Sequence, residues 1–237
     1  MSVTLSVIIP TLNEERTVGR VIRRLLATPF PGPYEVIVVD DHSADGTFAI
    51  ERALARAAAD GRITVVRNRT GTGKGACIRE GLRHATGDLV VIQDGDIEYD
   101  PAELPKLLAP ILAGRAEVVY GSRFLGARRP RGMRWAAWAA NRALTGLTNL
   151  LYGVGLTDME TCYKVLRRGQ LRSLHLQAVR FEFEPEVTAK LARAGVRITE
   201  VPVSYSGRDR AHGKKIRGRD FFIAVWTLLR CRWSRTR

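Results

Sequence analysis

Four short runs rich in Val, Ile and Leu constrain the fold most strongly, because each is followed by a turn and then by apolar residues at helical spacing. The runs occupy residues 5–10, 36–39, 63–66 and 89–92. The first leads into an apolar helical face made of Val18, Val21, Ile22, Leu25 and Leu26. Continuous apolar strands that alternate with helices are typical of a mostly parallel sheet flanked by helices. The sequence therefore predicts an α/β fold.

The second half of the chain has a less regular pattern. It predicts strands at 118–120 and 198–205, and helices at 135–152, 184–194 and 221–233. Asp100, Pro101 and Glu103 form a strong helix start, with an N-cap acid, a proline at the first helical position and a glutamate at the third. Residues 206–219 combine three glycines with many cationic side chains and are expected to form a mobile loop. No repeat or linker divides the chain, so a single domain is expected.

Composition excludes several classes of protein. The 237 residues are 45% hydrophobic and 26% charged, which is ordinary for a globular chain and excludes a disordered one. Three cysteines without a CxxC pair or a secretory leader favour a reduced, cytoplasmic compartment. The longest apolar run, 221–229, has nine residues, about half of the ~20 that cross a bilayer. No transmembrane segment is therefore expected.

Charge is distributed unevenly along the chain. There are 38 basic and 24 acidic residues, and the bases accumulate in the second half while acids concentrate near Asp40 and at 94–100. A net charge of +14 favours polyanionic ligands, namely a nucleotide, a nucleic acid or an anionic lipid surface, with a merely solubilising surface as the alternative. Nucleic acid is disfavoured because the basic segments lack interleaved aromatic residues and match no DNA or RNA motif.

Two acidic pairs follow predicted strands. Asp40 and Asp41 end the second strand, and Asp94 and Asp96 come directly after the fourth. Ligands of open parallel sheets lie at the carboxyl ends of the strands, so the two pairs are expected to meet at one edge. Asp94 and Asp96 are separated by one residue, so in an extended chain their carboxylates point to the same side. This arrangement suits a divalent cation that also binds phosphate oxygens, and Glu98 is close enough in the chain to join them.

Other ligand motifs are excluded by single residues. Gly73 and Lys74 suggest a P-loop, but Gly75 replaces the required Ser or Thr and Asn68 replaces the opening glycine. The first strand leads into Pro-Thr-Leu-Asn-Glu, so the Gly-x-Gly-x-x-Gly dinucleotide motif is absent. The four histidines show no ligand spacing with the cysteines, which disfavours a zinc site.

Six short motifs in order resemble family 2 glycosyltransferases of GT-A fold, and within them the polyprenyl-phosphate (dolichyl-phosphate) mannosyl and glucosyl transferases. They are Ser-Val-Ile-Ile-Pro-Thr-Leu-Asn-Glu at 6–14, Val-Val-Asp-Asp at 38–41, Gly-Lys-Gly at 73–75, Gln-Asp-Gly-Asp at 93–96, Gly-Ser-Arg-Phe at 121–124 and Asp-Met-Glu-Thr-Cys-Tyr-Lys at 158–164. The resemblance covers about residues 3–220. One departure is Gly95, where the family usually has alanine.

The resemblance implies a GT-A (Rossmann-like) catalytic domain at 1–219, followed by a basic amphipathic tail at 220–237. It implies an inverting transfer of a hexose from GDP-mannose or UDP-glucose to polyprenyl phosphate, dependent on Mg²⁺ or Mn²⁺. The implied donor-binding residues are Pro10, Leu12, Asn13, Glu14, Asp40, Asp41, Lys74, Asp94, Arg208 and Lys214. The implied catalytic residues are Asp96, Asp158 and Arg123, and the implied metal ligands are Asp94, Asp96 and Glu98.

Three of these residues have a structural alternative. Glu14 could instead stabilise the first turn of its helix through the helix dipole. Arg123 could form a structural ion pair, and Asp158 could cap the N-terminus of a helix. A soluble enzyme that glycosylates a sugar or small-molecule hydroxyl is the alternative function, and it would need a general base that a phosphate acceptor does not.

Two basic segments predict contacts beyond the site. The loop 206–219 is expected to close over the donor with its cations on phosphate, unless it stays permanently solvated. The tail is expected to lie at the inner membrane face, unless its helix docks on the domain itself.

Overall fold

The computed structural model describes residues 3–58, 60–69, 73–125, 129–207 and 218–234. Its strands are β1 (Leu5–Thr11), β2 (Tyr34–Asp40), β3 (Ile63–Arg67), β4 (Leu89–Ile92), β5 (Val118–Ser122), β6 (Lys164–Arg167) and β7 (Ile198–Pro202). Its helices are α1 (Val18–Leu26), α2 (Thr47–Ala57), α3 (Lys74–His84), α4 (Leu104–Leu112), α5 (Trp135–Tyr152), α6 (Arg168–Ser173), α7 (Phe183–Arg193) and α8 (Gly218–Trp233).

The strands form one sheet in the order β3-β2-β1-β4-β6-β5-β7. β6 is antiparallel to both of its neighbours, and the other six strands run parallel to one another. The predicted mostly parallel α/β sheet is therefore confirmed. The chain moves outward from β1 to β2 and β3, and then returns to the other side of β1 as β4. This reversal leaves a crevice beyond the carboxyl end of β1, where open α/β sheets bind ligands.

The central strands are buried on both faces. Residues 36–39 and 89–92 are almost without solvent exposure, as their continuous apolar character predicts. Helix α3 lies so close to β1 that a Cβ atom at Gly81 would be 2.5 Å from Cγ2 of Ile8. Only glycine permits this approach, which fixes the height of α3 over the sheet.

Several boundaries differ from the sequence prediction. The sequence predicts neither β6 nor α6. β6 has only four residues, of which Lys164 and Arg167 are charged, and α6 has only six residues. The strand expected at 198–205 ends at Pro202. At the predicted helix start, Asp100 accepts a hydrogen bond from the Ala102 N–H at 3.0 Å, and a single 3₁₀ turn precedes α4. The helix predicted at 135–152 is confirmed.

Helix α8 packs on α5 and α7 through one face that buries Ala224, Leu228 and Cys231. The Tyr152 hydroxyl of α5 donates to the Leu228 carbonyl at 2.7 Å. The helix therefore docks on the body of the protein, as the structural alternative for the tail proposes. Within the described ranges, no helix combines the length and the apolar character that a membrane crossing requires.

Candidate active site

Acidic side chains lie on both sides of the end of β1. Thr11, the last residue of β1, is in register with Asp40, the last residue of β2. On the other side Ile8 is in register with Ile92, so the residues after β4 emerge beside Pro10 and Thr11. The two acidic pairs therefore lie at the same end of the sheet, as the sequence predicts.

The carboxylates after β2 are held rigidly. Asp40 is fully buried, and its oxygens accept the Ser43 N–H at 3.3 and 3.2 Å. The Arg67 guanidinium lies 3.5 Å from Asp40. Asp41 accepts a hydrogen bond from the Asn68 side-chain amide at 2.7 Å. These contacts fix both carboxylates before any ligand binds.

The loop after β1 is joined to the loop after β2. Asn13 has a φ of 50°, a left-handed conformation that asparagine tolerates, and its side-chain oxygen accepts the Ala44 N–H at 2.8 Å. The Glu14 N–H donates to Thr47 at 2.7 Å, and the Glu14 carboxylate accepts the Thr17 hydroxyl at 2.8 Å. The last contact supports the alternative in which Glu14 stabilises the start of α1. Its role in donor binding stays a prediction, as do the roles of Pro10 and Leu12.

Lys74 joins two carboxylates at the start of α3. Its ammonium nitrogen lies 2.9 Å from Asp94 and 2.9 Å from Glu184, which is on α7. Burial opposes the charged form, but the Asp94 and Glu184 carboxylates outweigh it and raise the pKa of Lys74 well above its usual range. Lys74 is therefore a permanent cation that fixes Asp94.

Glu184 was missed by the sequence analysis. Its one local signal is a pair of acids in the first turn of α7, which the helix dipole explains by itself.

The segment after β4 folds back on itself. Asp96 is buried and accepts the Glu98 N–H at 2.9 Å. The Glu98 carboxylate accepts the Tyr205 hydroxyl at 2.7 Å. Burial and the Glu98 charge both raise the pKa of Tyr205, so this phenol remains a hydrogen-bond donor.

The predicted metal ligands Asp94, Asp96 and Glu98 do not form a ready-made cluster. Across the described part of the chain, no three His, Cys, Asp or Glu side chains are placed together to hold a metal ion. Asp94 is bound to Lys74, and Glu98 to Tyr205. However, Mg²⁺ in phosphate-binding sites usually takes one or two carboxylates, and the substrate supplies phosphate oxygens. The residues present are therefore compatible with a cation that arrives with a diphosphate, and the ligand roles of Asp94, Asp96 and Glu98 stay predictions.

Arg123 and Asp158 form a buried bidentate ion pair. Two guanidinium nitrogens each lie 2.7 Å from an Asp158 oxygen, and the Arg123 N–H donates to the same carboxylate at 2.9 Å. Arg123 also donates to Asn141 at 2.9 Å. Asp158 caps no helix of the described chain, so that alternative is wrong. The structural ion pair proposed for Arg123 is present, and the catalytic roles predicted for both residues stay predictions.

Glu160 is a second acid that the sequence analysis missed. One of its carboxylate oxygens is buried and has no hydrogen-bond partner among the described residues. Burial and the Glu184 charge raise the pKa of Glu160 to about 8, although Lys164 and Arg123 oppose the shift. Glu160 therefore holds a proton at neutral pH. Its only sequence signal is its place between Asp158 and Lys164 in the quoted motif.

Two predicted donor residues, Arg208 and Lys214, lie outside the described residues. The prediction that the loop 206–219 closes over the donor falls on the same segment.

Solved structures with this fold bind nucleotides. Glucosyl-3-phosphoglycerate synthase from Mycobacterium tuberculosis, in complex with Mn²⁺, UDP and phosphoglyceric acid, is 25% identical with a TM-score of 0.73, over 99% of this chain and 80% of that one. A complex of the same enzyme with Mg²⁺ and UDP is 26% identical with a TM-score of 0.72, over 97% of this chain and 79% of that one. The fold and the site together define an α/β transferase of the GT-A class.

The family follows from sequence comparison. The model of glycosyl transferase family 2 matches residues 6–174. The chain belongs to this family, which confirms the resemblance and the prediction of a glycosyltransferase. An undecaprenyl-phosphate mannosyltransferase of Micrococcus luteus is 33% identical over 87% of this chain and 85% of its own length. A polyprenol monophosphomannose synthase of Mycolicibacterium smegmatis is 32% identical over 93% of this chain and 85% of its own length.

Proposed function

We propose that this glycosyltransferase moves a hexose, with inversion, from a nucleoside diphosphate sugar to polyprenyl phosphate. The observation that carries the proposal is the pair of anchored acidic groups on either side of β1, Asp40 with Arg67 and Asp94 with Lys74. They bracket the crevice at the point where the strand order reverses. The names of the two mannosyltransferase relatives support mannose as the hexose and a polyprenyl phosphate as the acceptor.

The donor would lie across the end of β1. The nucleoside would occupy the side of Asp40 and Asp41, and the diphosphate would extend toward Asp96. A bound Mg²⁺ or Mn²⁺ would neutralise the charge that develops on the departing nucleoside diphosphate. Lys74 and Asp94 would hold the sugar, so that its anomeric carbon faces the incoming acceptor.

Transfer then requires one displacement. An acceptor phosphate oxygen forms a bond to the anomeric carbon while the bond from that carbon to the diphosphate oxygen breaks, and the configuration inverts. The acceptor phosphate is already an anion, so it needs no general base.

A lipid acceptor requires contact with a membrane, and the outer face of α8 supplies a suitable surface. Phe222, Trp226 and Trp233 are 72%, 65% and 70% exposed. At 100° per residue they fall within about 40° of one another, opposite the buried face of the helix. Arg219 and Arg230 are exposed beside them. Aromatic side chains with flanking arginines favour the interface of an anionic bilayer, so we place the enzyme peripherally at the cytosolic membrane face.

The test is a transfer assay with matched acceptors. The enzyme is incubated with Mg²⁺, labelled GDP-mannose or UDP-glucose, and either a short polyprenyl phosphate or the polyprenol of the same length. We expect a labelled lipid product with GDP-mannose and the phosphate acceptor. Phosphoglyceric acid, which is bound in the 25% identical structure, is the soluble competitor. Transfer to phosphoglyceric acid or polyprenol, but not to polyprenyl phosphate, would refute the proposed acceptor.

A further inference from the structure

A carboxyl group is enclosed beneath the proposed nucleoside side of the site. Glu51 on α2 is 0% exposed, and both of its carboxylate oxygens lack a hydrogen-bond partner among the described residues. An unpaired charged carboxylate in such a place costs several kcal/mol, so the group takes up a proton instead. Burial raises the pKa of Glu51 to about 7.

The groups that act on the charge of Glu51 come from β1, β2, β3 and the loop before α2. Asp40 and Asp45 repel its negative charge, whereas the Thr11 hydroxyl and the Arg67 guanidinium favour it. Helix α1 adds a cation on the other side. Gly19 of α1 lies between Ile50 of α2 and the Arg23 guanidinium: a Cβ atom at Gly19 would be 3.3 Å from the Ile50 side chain and 3.2 Å from the guanidinium. The balance of these charges sets whether Glu51 is neutral or anionic near neutral pH.

The residues that Glu51 faces belong to the site. Thr11 ends β1, and Asp40 is its register partner at the end of β2. One turn before Glu51 on the same face of α2, Thr47 accepts the Glu14 N–H. The inner face of α2 thus supports the ends of both strands and the loop between β1 and α1. A change in the charge of Glu51 acts on Thr11 and Asp40 directly.

We propose that Glu51 is a positioning residue for the donor: while its carboxyl is protonated and uncharged, Thr11 and Asp40 keep the arrangement that binds the nucleoside diphosphate sugar. This inference rests on the proposed function. Loss of the proton would place a second anion beside Asp40, where the two negative charges repel each other and disturb the nucleoside side of the site, and would weaken donor binding. Glutamine keeps the shape and the neutral state of the protonated carboxyl, so Glu51→Gln should preserve binding and remove its dependence on this proton.

The test is calorimetric titration with GDP-mannose and with UDP-glucose, in Mg²⁺ and without acceptor, from pH 5.5 to 8.5. Neither donor has a phosphate group that titrates in this range. Wild-type Kd should rise on the order of 10-fold across the range, because one protonation step is coupled to binding. Glu51→Gln should match the wild type at pH 5.5, and its Kd should rise less than the wild-type Kd as the pH increases. Glu80→Gln is the matched control, since Glu80 is buried but paired with Arg83, and it should keep the wild-type slope.

The outcomes separate this inference from the proposed function. If the wild type binds a donor but Glu51→Gln shows the same pH slope, the positioning role is wrong and the proposed function stands. If Glu51→Gln binds more weakly at pH 5.5 while its melting temperature is unchanged, a neutral side chain of this shape is not sufficient for donor binding and the inference is overturned. If the wild type binds neither donor at any pH, the proposed function fails and this inference fails with it.

Discussion

The side chain of Thr11 occupies the space that a methyl group on Gly95 would need: a Cβ atom at Gly95 would lie 2.8 Å from Cγ2 of Thr11. Thr11 ends β1, and Gly95 separates Asp94 from Asp96 after β4. An alanine at position 95 would therefore force Thr11 or the segment after β4 to shift. The contact also makes Thr11 the direct link between the two acidic groups of the site.

This link predicts a rescue. Gly95→Ala should destabilise the fold by about 1–3 kcal/mol and weaken donor binding, because the added methyl group overpacks Thr11. Thr11→Ser removes Cγ2 and should restore most of both losses in the double variant. Gly146→Ala is the control, because a Cβ atom there meets nothing within 4 Å and should be neutral or stabilising. Equal losses in the single and double variants, measured by denaturant unfolding and donor titration, would refute the link.

Asp96 is expected to matter for turnover rather than for folding. Asp96→Asn should lower kcat by about 10²-fold or more, because it removes one of the carboxylates predicted to bind the cation. Its melting temperature should be unchanged or higher, since one carboxylate fewer relieves repulsion near Asp94 and Glu98. Activity is measured at increasing Mg²⁺ and Mn²⁺. Full wild-type activity in excess EDTA would contradict metal dependence.

The buried pair of Arg123 and Asp158, unlike Asp96, is expected to matter for folding. Asp158→Ala leaves a buried guanidinium without its carboxylate, which typically costs about 3–5 kcal/mol. We therefore expect a large loss in the free energy of unfolding, measured with urea. Asp60→Ala is the control, because the Asp60–Arg62 pair is exposed and should contribute little. A folded Asp158→Ala variant with wild-type stability and no activity would instead show that the pair acts on substrate.

The outer face of α8 predicts a membrane contact that can be removed without unfolding the helix. Replacing Phe222, Trp226 and Trp233 by serine should strongly reduce sedimentation with anionic phosphatidylglycerol vesicles while the melting temperature changes little. The matched control is Trp135→Ser, which removes a Trp of similar exposure, 66%, at the start of α5. Wild-type sedimentation by the triple variant would contradict this surface. Loss of binding by both variants would point to a wider surface that includes α5.

The sequence predicts the first half of the fold well, because buried parallel strands are continuous apolar runs. β6 escapes prediction because it is short and antiparallel, and because Lys164 within it is fully buried and bonded to the carbonyls of Met159 and Thr161. Because carbonyls close to Lys164 in the chain accept hydrogen bonds from its ammonium group, its burial produces no periodic pattern of apolar residues in the sequence. The positions of Asp40 and Asp94 follow from strand ends and are predictable.

The partners of the site residues are less accessible to sequence reasoning. Lys74 meets Glu184 because α3 and α7 approach the same edge of the sheet, and residues this far apart in the chain carry no mark of their contact. Glu51 was missed for a related reason. A glutamate in a helix is expected on the solvent side, and only the packed structure shows that it faces the sheet.

The raised pKa of Glu51 also predicts how stability varies with pH. An unfolded glutamate has a pKa near 4.5 and folded Glu51 about 7, so the folded state binds the proton more tightly. The resulting stabilisation is complete below pH 4.5 and is lost as the pH rises through 7. The free energy of unfolding of the wild type, relative to Glu51→Gln, should therefore fall by about 3 kcal/mol between pH 4.5 and 8. Comparing the two proteins removes the contribution of Glu160, because Glu160 titrates in both of them. Urea unfolding at several pH values measures it, and a constant difference would show that Glu51 does not change its charge in this range.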